Sequence, residues 1–291
     1  MKVLLTLLSS HKIDKLTRLV GSVTRFREEP RIDLEVVIVI NTLSDEYFSQ
    51  VLEQNYPYTV VRTKSNGWPG KGKNSCLDIF MDSEADFWVQ LDGDDLFYPT
   101  FLQSLANNME RYKGSIDVLG LVPTDKVLPY KIGLGHEFPV GESFWACVWG
   151  ISVCWPGNNP PGPTRGKWIN DRLPVSQNTL ILRSRKSCEY RFPEDLPNGE
   201  DSLTSVRLLK AHQEGKLNYF LTMSSDWYCY DETVEDSIQK QFLWEDYVED
   251  WRTRVYNSID PNRSSFFELP MIYSPLLLSP EEKQDWITKY F

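Results

Sequence analysis

The 291 residues predict an α/β fold built on a mainly parallel, doubly wound sheet. Three observations predict it: short apolar runs rich in β-branched residues, apolar stripes at helical spacing between them, and polar turns closing several runs. The first run, residues 3–8, is too short for a leader peptide and is followed at once by His11, Lys12 and Asp14. It reads as a buried strand. Ile13, Leu16, Leu19, Val20, Val23 and Phe26 then repeat as one helical stripe. Residues 34–40 (LEVVIVI) read as a strand covered on both faces, as in a parallel sheet.

A shorter strand is expected at 59–62. Asn66-Gly67 and Pro69-Gly70 mark a loop, and a helix follows at 74–81. Residues 86–91 (DFWVQL) form the next strand, ending in Asp92-Gly93-Asp94-Asp95. Leu102, Leu105, Met109 and Tyr112 mark a helix face, and 118–122 a further strand. Residues 133–174 lose periodicity and fill with Gly, Pro, Trp and Asn, the texture of a functional loop. A returning strand at 179–182, a helix at 201–211, a strand at 217–222 and helices at 234–256 and 280–291 complete the expectation.

Composition narrows the partners. Hydrophobic residues at 41% support a packed core, and a formal charge of -10 argues against nucleic acid or an anionic membrane surface. Five scattered cysteines form no CxxC pair; an odd number fits free thiols and a cytoplasmic protein. No run approaches the length of a transmembrane segment.

In a sheet of this kind ligands bind beyond the carboxyl ends of the strands, so the loops after Leu8, Ile40, Thr63 and Leu91 are expected to meet. The acidic turn 92–95 is the sharpest feature there. Clustered carboxylates at a strand end suit a hard divalent cation, Mn²⁺ or Mg²⁺, that also touches phosphate oxygens. The same residues also read as a solvated turn capping the next helix. A second acidic pair, Glu200-Asp201, follows Asn198-Gly199 at a helix start. A helix N-terminus favours an ionised carboxylate able to accept a proton, but ordinary capping needs the same residues.

The order of these motifs resembles the nucleotide-sugar-binding half of GT-A fold glycosyltransferases, family 2 in particular. The matching features are a strand ending in a polar turn, an Asn/Gly loop, Lys71-Gly72-Lys73-Asn74 at a helix start, and Leu91-Asp92-Gly93-Asp94-Asp95. Lys73 stands where that family usually carries Arg. The resemblance covers about the first third of the chain. It implies a GT-A fold whose nucleotide-sugar half spans residues 1–122 and whose acceptor half spans 123–231, followed by a helical extension at 232–291.

It further implies that Leu8, Ser9, Asn41, Asn66, Lys73, Asp92 and Gly93 hold a nucleotide-diphosphate sugar, with UDP the preferred nucleotide. The family often has Asp where this chain has Asn41. Asp94 would ligate the metal, with Asp95 a second ligand or a helix cap. Asp231, in a segment where the family commonly places a His ligand, is a candidate third oxygen ligand; its other reading is a surface acid. By the same resemblance Asp201 would be the base that deprotonates an acceptor hydroxyl, with Glu200 the supporting or alternate carboxylate, and transfer would invert the anomeric centre. Trp145, Trp149, Trp155 and Trp168 are candidates to stack on a carbohydrate acceptor, or simply pack the loop.

Rival classes fit less well. A sugar-nucleotide pyrophosphorylase needs a Gly-rich basic loop after the first strand, where this chain has Leu8-Ser9-Ser10-His11-Lys12. A phosphatase with an Asp-x-Asp nucleophile places it after the first strand, not a later one. A non-catalytic carbohydrate- or nucleotide-sugar-binding protein is the standing alternative.

Overall fold

A computed structural model describes residues 1–63, 67–112, 114–121, 125–128, 131–133, 180–222, 226–231, 250, 253–254, 271–272 and 276–290. Strand β1 (Lys2–Ser9) leads into helix α1 (Ile13–Val23), then β2 (Asp33–Asn41), α2 (Asp45–Glu53), β3 (Thr59–Thr63), α3 (Pro69–Asp82) and β4 (Phe87–Asp92). Next come β5 (Leu96–Phe97), α4 (Phe101–Tyr112), β6 (Val118–Leu121), β7 (Asp125–Leu128) and β8 (Lys131–Gly133). After β9 (Leu180–Ser184) and a 3-10 turn at Arg185–Glu189 follow α5 (Glu200–Gln213), β10 (Tyr219–Thr222), β11 (Tyr228–Asp231), β12 (Met271–Ile272) and α6 (Pro280–Tyr290).

The main sheet has the order β12-β10-β6-β9-β4-β1-β2-β3. Strands β4, β1, β2 and β3 are mutually parallel, and so are β6, β10 and β12. Strand β9 is the exception: it runs antiparallel to both β4 and β6 and joins the two parallel blocks. The sheet is therefore mainly parallel, as expected, with one reversed strand that periodicity alone does not reveal.

Strict alternation along β1 sets the two layers. Val3, Leu5 and Leu7 face α1, α2 and α4 in one core, with Leu16, Leu19, Val20, Val51, Phe101 and Leu105. Leu4 and Leu8 face α3 in the other, with Cys76, Leu77, Phe80, Trp88 and Phe192. Burying one such aliphatic side chain contributes about 1.5–3 kcal/mol, so both faces of the sheet are held by apolar packing. A small second sheet has the order β5-β11-β7-β8, and its strand β5 follows β4 in the chain. Helix α6 packs on it through Ile287, with Leu278 just before the helix, and its Trp286 Nε1 donates to the Phe97 carbonyl at 2.9 Å.

Helix α3 begins earlier than expected. Pro69 occupies its first turn with φ preset for a helix, and Trp68 before it is extended. Lys71-Gly72-Lys73-Asn74 thus lies inside the helix rather than at its start. Helix α2 has no counterpart in the sequence expectation; Ser44 caps it by accepting from the Tyr47 amide at 3.1 Å. The expected helix at 234–256 lies outside the described residues except at 250, 253 and 254. The Trp-rich segment 133–174 lies outside them beyond Gly133. Cys76, Cys188 and Cys229 are buried free thiols, while Cys147 and Cys154 fall outside the described residues. No described helix is long and apolar enough to cross a membrane.

Candidate active site

The carboxyl ends of β1, β2 and β4 meet as the parallel register requires, with Leu8 opposite Asp92 and Ser9 opposite Ile40. The turn after β4 folds tightly on β1. A Cβ on Gly93 would lie 2.9 Å from Ser9 Cβ and 3.0 Å from the Leu8 carbonyl oxygen, so any side chain there would push the turn off the strand. Ser9 is fixed from the opposite direction by a 2.7 Å hydrogen bond to the Tyr47 phenol of α2, whose proton burial retains up to about 12.

Helix α3 presses onto the same strand ends. A Cβ on Gly72 would meet Asn41 Nδ2 at 2.5 Å and Leu8 Cδ1 at 3.0 Å. Asn41 in turn donates through Nδ2 to the Trp68 carbonyl at 3.0 Å. Leu8, Ser9, Asn41 and Gly93 therefore form one wall. Asn66, expected beside them, lies outside the described residues.

The two acidic motifs, far apart in sequence, share one buried cation. Lys73 Nζ donates to Glu200 Oε1 at 2.6 Å and sits 3.9 Å from Asp92 Oδ2. The Lys73 and Glu200 side chains are 9% and 4% exposed, whereas Asp92 is about half exposed. Burial works against the ammonium. Asp92, Glu200 and Asp201 more than offset it and raise its pKa, so Lys73 stays charged. Asp201, one residue on, is only partly buried at the first turn of α5. Gly199 precedes it at φ 81, a left-handed conformation that glycine adopts without strain.

The other half of the acidic turn faces α1 and the small sheet. The Asp94 carbonyl accepts from Arg18 Nη2. The same nitrogen donates to Asp231 Oδ2 at 2.9 Å, as does Lys15 Nζ at 2.9 Å. Asp95 Oδ1 accepts from the Asp231 amide at 3.0 Å. Burial first, then the Asp92 carboxylate, push Asp94 up to about 6, with Asp231 adding to the rise and Arg18 opposing it. Asp95 is held well above the usual carboxylate range by burial and by Asp94 and Asp92.

Asp231 is neither exposed nor idle: its side chain is fully buried and neutralised by two cations. Sequence reasoning passed over Lys15 and Arg18. Their i, i+3 spacing on the polar face of α1 was the available signal, but their partner is more than 200 residues away. Asn74 was also missed. Its amide staples α3 to the segment before α5, donating to the Phe192 carbonyl at 2.9 Å and accepting from the Phe192 amide at 3.0 Å.

Excess negative charge at Asp92 and Asp94 fits a divalent cation. Among the described residues no three acidic, Cys or His side chains converge as a cage.

No protein-family model matches the chain, and no curated protein matches it. Solved structures do. Residues 1–349 of S. aureus TarS in complex with UDP are similar over 100% of this chain and 70% of that one, with TM-score 0.56 and 17% identity. The complex with UDP-GlcNAc matches with TM-score 0.57 and 17% identity over 99% of this chain and 79% of that one. Another TarS structure matches with TM-score 0.51 and 17% identity over 82% of this chain and 38% of that one. At this identity the likeness establishes architecture, and the chain has the GT-A α/β fold that its motif order implies.

Proposed function

We propose that this protein is a metal-dependent glycosyltransferase that moves a sugar from a nucleotide diphosphate, UDP by preference, to an acceptor hydroxyl. One observation carries the reading. Lys73 holds the acidic turn after β4 and the acidic start of α5 on one ammonium, so a charge-binding group and a proton acceptor face the same place. The TarS complexes with UDP and UDP-GlcNAc support a nucleotide sugar as the ligand of this fold.

In this reading Leu8, Ser9, Asn41 and Gly93 shape the nucleoside wall, and Asp92 accepts hydrogen bonds from the donor's hydroxyls. Asp94 is the protein's metal ligand, with Asp95 behind it. Asp231 serves as the counter-charge of Lys15 and Arg18 and thereby fixes the turn. A bound Mn²⁺ or Mg²⁺ would stabilise the charge developing on the leaving diphosphate. Glu200, buried against Lys73, is committed to its ion pair. The partly exposed Asp201 is therefore the base: it takes the proton of the acceptor hydroxyl, whose oxygen attacks the anomeric carbon opposite the diphosphate. A single in-line displacement of this kind inverts the configuration.

The test is release of free nucleotide diphosphate from a panel of nucleotide sugars with Mn²⁺. The wild type is expected to release it. Asp201→Asn is expected to keep the Mn²⁺-dependent thermal shift caused by UDP and to lose about 10²–10⁴-fold in turnover, the usual contribution of a positioned general base. Stabilisation by UDP without sugar leaving any donor would make the chain a binder. Normal turnover of Asp201→Asn would remove the base assignment.

A further inference from the structure

Among the described residues, the most buried cation takes no part in the proposed scheme. Arg183 on β9 is fully buried, and among the described residues no carboxylate pairs with it. Its guanidinium gathers the turn that follows β9. Nε donates to Ser187 Oγ at 3.2 Å, and Nη2 donates to the carbonyls of Ser187 and of Tyr190, the latter at 2.9 Å. Burial without an anionic partner is costly, and it lowers the guanidinium pKa to about 10. A methionine or leucine would fill the space without that cost. What arginine supplies instead is two rigidly spaced donors, Nε and Nη2, on this turn, with its Nη1 left buried and unbonded among the described residues.

The turn it gathers leads to the site. Two residues past Tyr190, Phe192 has its backbone amide and carbonyl both engaged by the Asn74 side chain. Its ring is 5.6 Å from the Arg183 guanidinium carbon and 5.8 Å from Lys73 Nζ. Pro193 follows so closely on α3 that no side chain fits at Gly70. The chain of contact runs from Arg183 through the 187–192 strap to Phe192 and Asn74, then to Lys73, and from Lys73 to Glu200 and Asp92.

We infer that Arg183 is a positioning residue: it sets the strap that places Lys73, and so aligns the α5 carboxylates with the acidic turn. The inference rests on the glycosyltransferase reading for its kinetic consequence but not for its structural one. Arg183 touches neither the acidic turn nor the nucleoside wall, so its loss acts on transfer and not on nucleotide capture.

The experiment compares wild type, Arg183→Met and Arg183→Lys at a temperature where all are folded. For UDP with Mn²⁺, Kd is expected to stay within about threefold, because fixed geometry matters more to turnover than to binding. For the most active UDP-sugar, kcat for UDP release is expected to fall about tenfold or more in Arg183→Met, since small displacements near reacting groups carry such costs. Arg183→Lys, which keeps the charge but not the fork, is expected to recover only part of it.

A second readout needs no activity. The ¹⁵N-resolved signal of the Lys73 ammonium, protected by burial against Glu200, is expected to exchange with water at least tenfold faster in Arg183→Met. If Arg183→Met does not fold, Ser187→Ala, which removes the Nε contact together with the hydroxyl's own bond to the Ser184 carbonyl, is expected to show the same exchange effect at a few-fold size. An unchanged Lys73 signal with wild-type kcat, whatever the melting temperature, would overturn the inference. Faster exchange with no UDP release from any enzyme form, wild type included, would keep it and remove the proposed function instead.

Discussion

The two sides of the acidic turn are held by opposite strategies. On the α3 side, one buried ammonium, Lys73, serves one buried carboxylate, Glu200, and one exposed carboxylate, Asp92. On the α1 side, one buried carboxylate, Asp231, serves two cations: Lys15, with a side-chain exposure of 20%, and Arg18, which at 10% is about as buried as Lys73. The first arrangement leaves a trapped charge when broken. The second leaves Lys15 able to rehydrate and Arg18 still donating to the Asp94 carbonyl. The lesson is that the turn has a more rigid anchor and a more compliant one, and the more rigid one lies toward Asp201, the proposed base.

That contrast can be broken by matched substitutions. Lys73→Met strands Glu200 in the interior, and removing one member of a buried ion pair typically costs about 3–5 kcal/mol. The double variant Lys73→Met with Glu200→Leu is expected to regain most of that loss, since apolar replacements of a whole buried pair are often neutral. Asp231→Asn removes charge-assisted hydrogen bonds but leaves Lys15 near water and Arg18 on the Asp94 carbonyl, and about 2 kcal/mol is expected. Urea denaturation of the four proteins measures the ordering. Equal costs at Lys73 and Asp231 would erase the distinction between the anchors.

A smaller effect sharpens the packing half of the argument. Gly72→Ala places a methyl group 2.5 Å from Asn41 Nδ2. The helix must lift or Asn41 must leave the Trp68 carbonyl, at a cost in the range of about 1–3 kcal/mol for overpacking. Helix propensity works the other way by about 1 kcal/mol. A net loss of about 1 kcal/mol, with weakened UDP binding, is expected from thermal melts with and without ligand. A stabilised Gly72→Ala would show that α3 does not bear on the nucleoside wall.

The strands β1, β2 and β4 were legible because each is a mostly apolar run, broken only at Thr6, Glu35 or Gln90, and α1 and α4 because each carries a single stripe. Helix α2 was not, since only Tyr47 and Val51 are buried in it, too few to form a period. The small sheet was illegible for a different reason. Its strands are two to four residues long, shorter than an alternation needs, and they pair across the chain, as Leu96 with Cys229. At the site the same division holds. The acidic turn and the α5 start announced themselves as local clusters. Lys15, Arg18, Asn74 and Arg183 act through partners distant in the chain or through backbone carbonyls, and no local pattern carries that information. The reversed direction of β9 belongs with them, because direction is a property of the connection and not of the strand.

The subtlest way to separate the two anchors is through protons. In the metal-free protein Asp94 is raised to about 6, by burial first and then by Asp92, with Asp231 adding to it. A carboxylic acid raised on folding is held more tightly in the folded state. Its protonated form therefore favours the fold, and that contribution is lost as pH climbs from the ordinary carboxylate range through about 6. A metal ion requires the ionised form, so apparent Mn²⁺ affinity is expected to fall about tenfold per pH unit below that point, one proton being displaced per ion bound. Mn²⁺-dependent thermal shifts at pH 5, 6 and 7 measure it. In Asp94→Asn the pH dependence should vanish together with most of the binding. In Asp231→Asn it should survive with its midpoint moved to lower pH, because a neighbouring negative charge has gone. A midpoint unmoved by Asp231→Asn would mean that the α1 side fixes the position of the turn without tuning its charge.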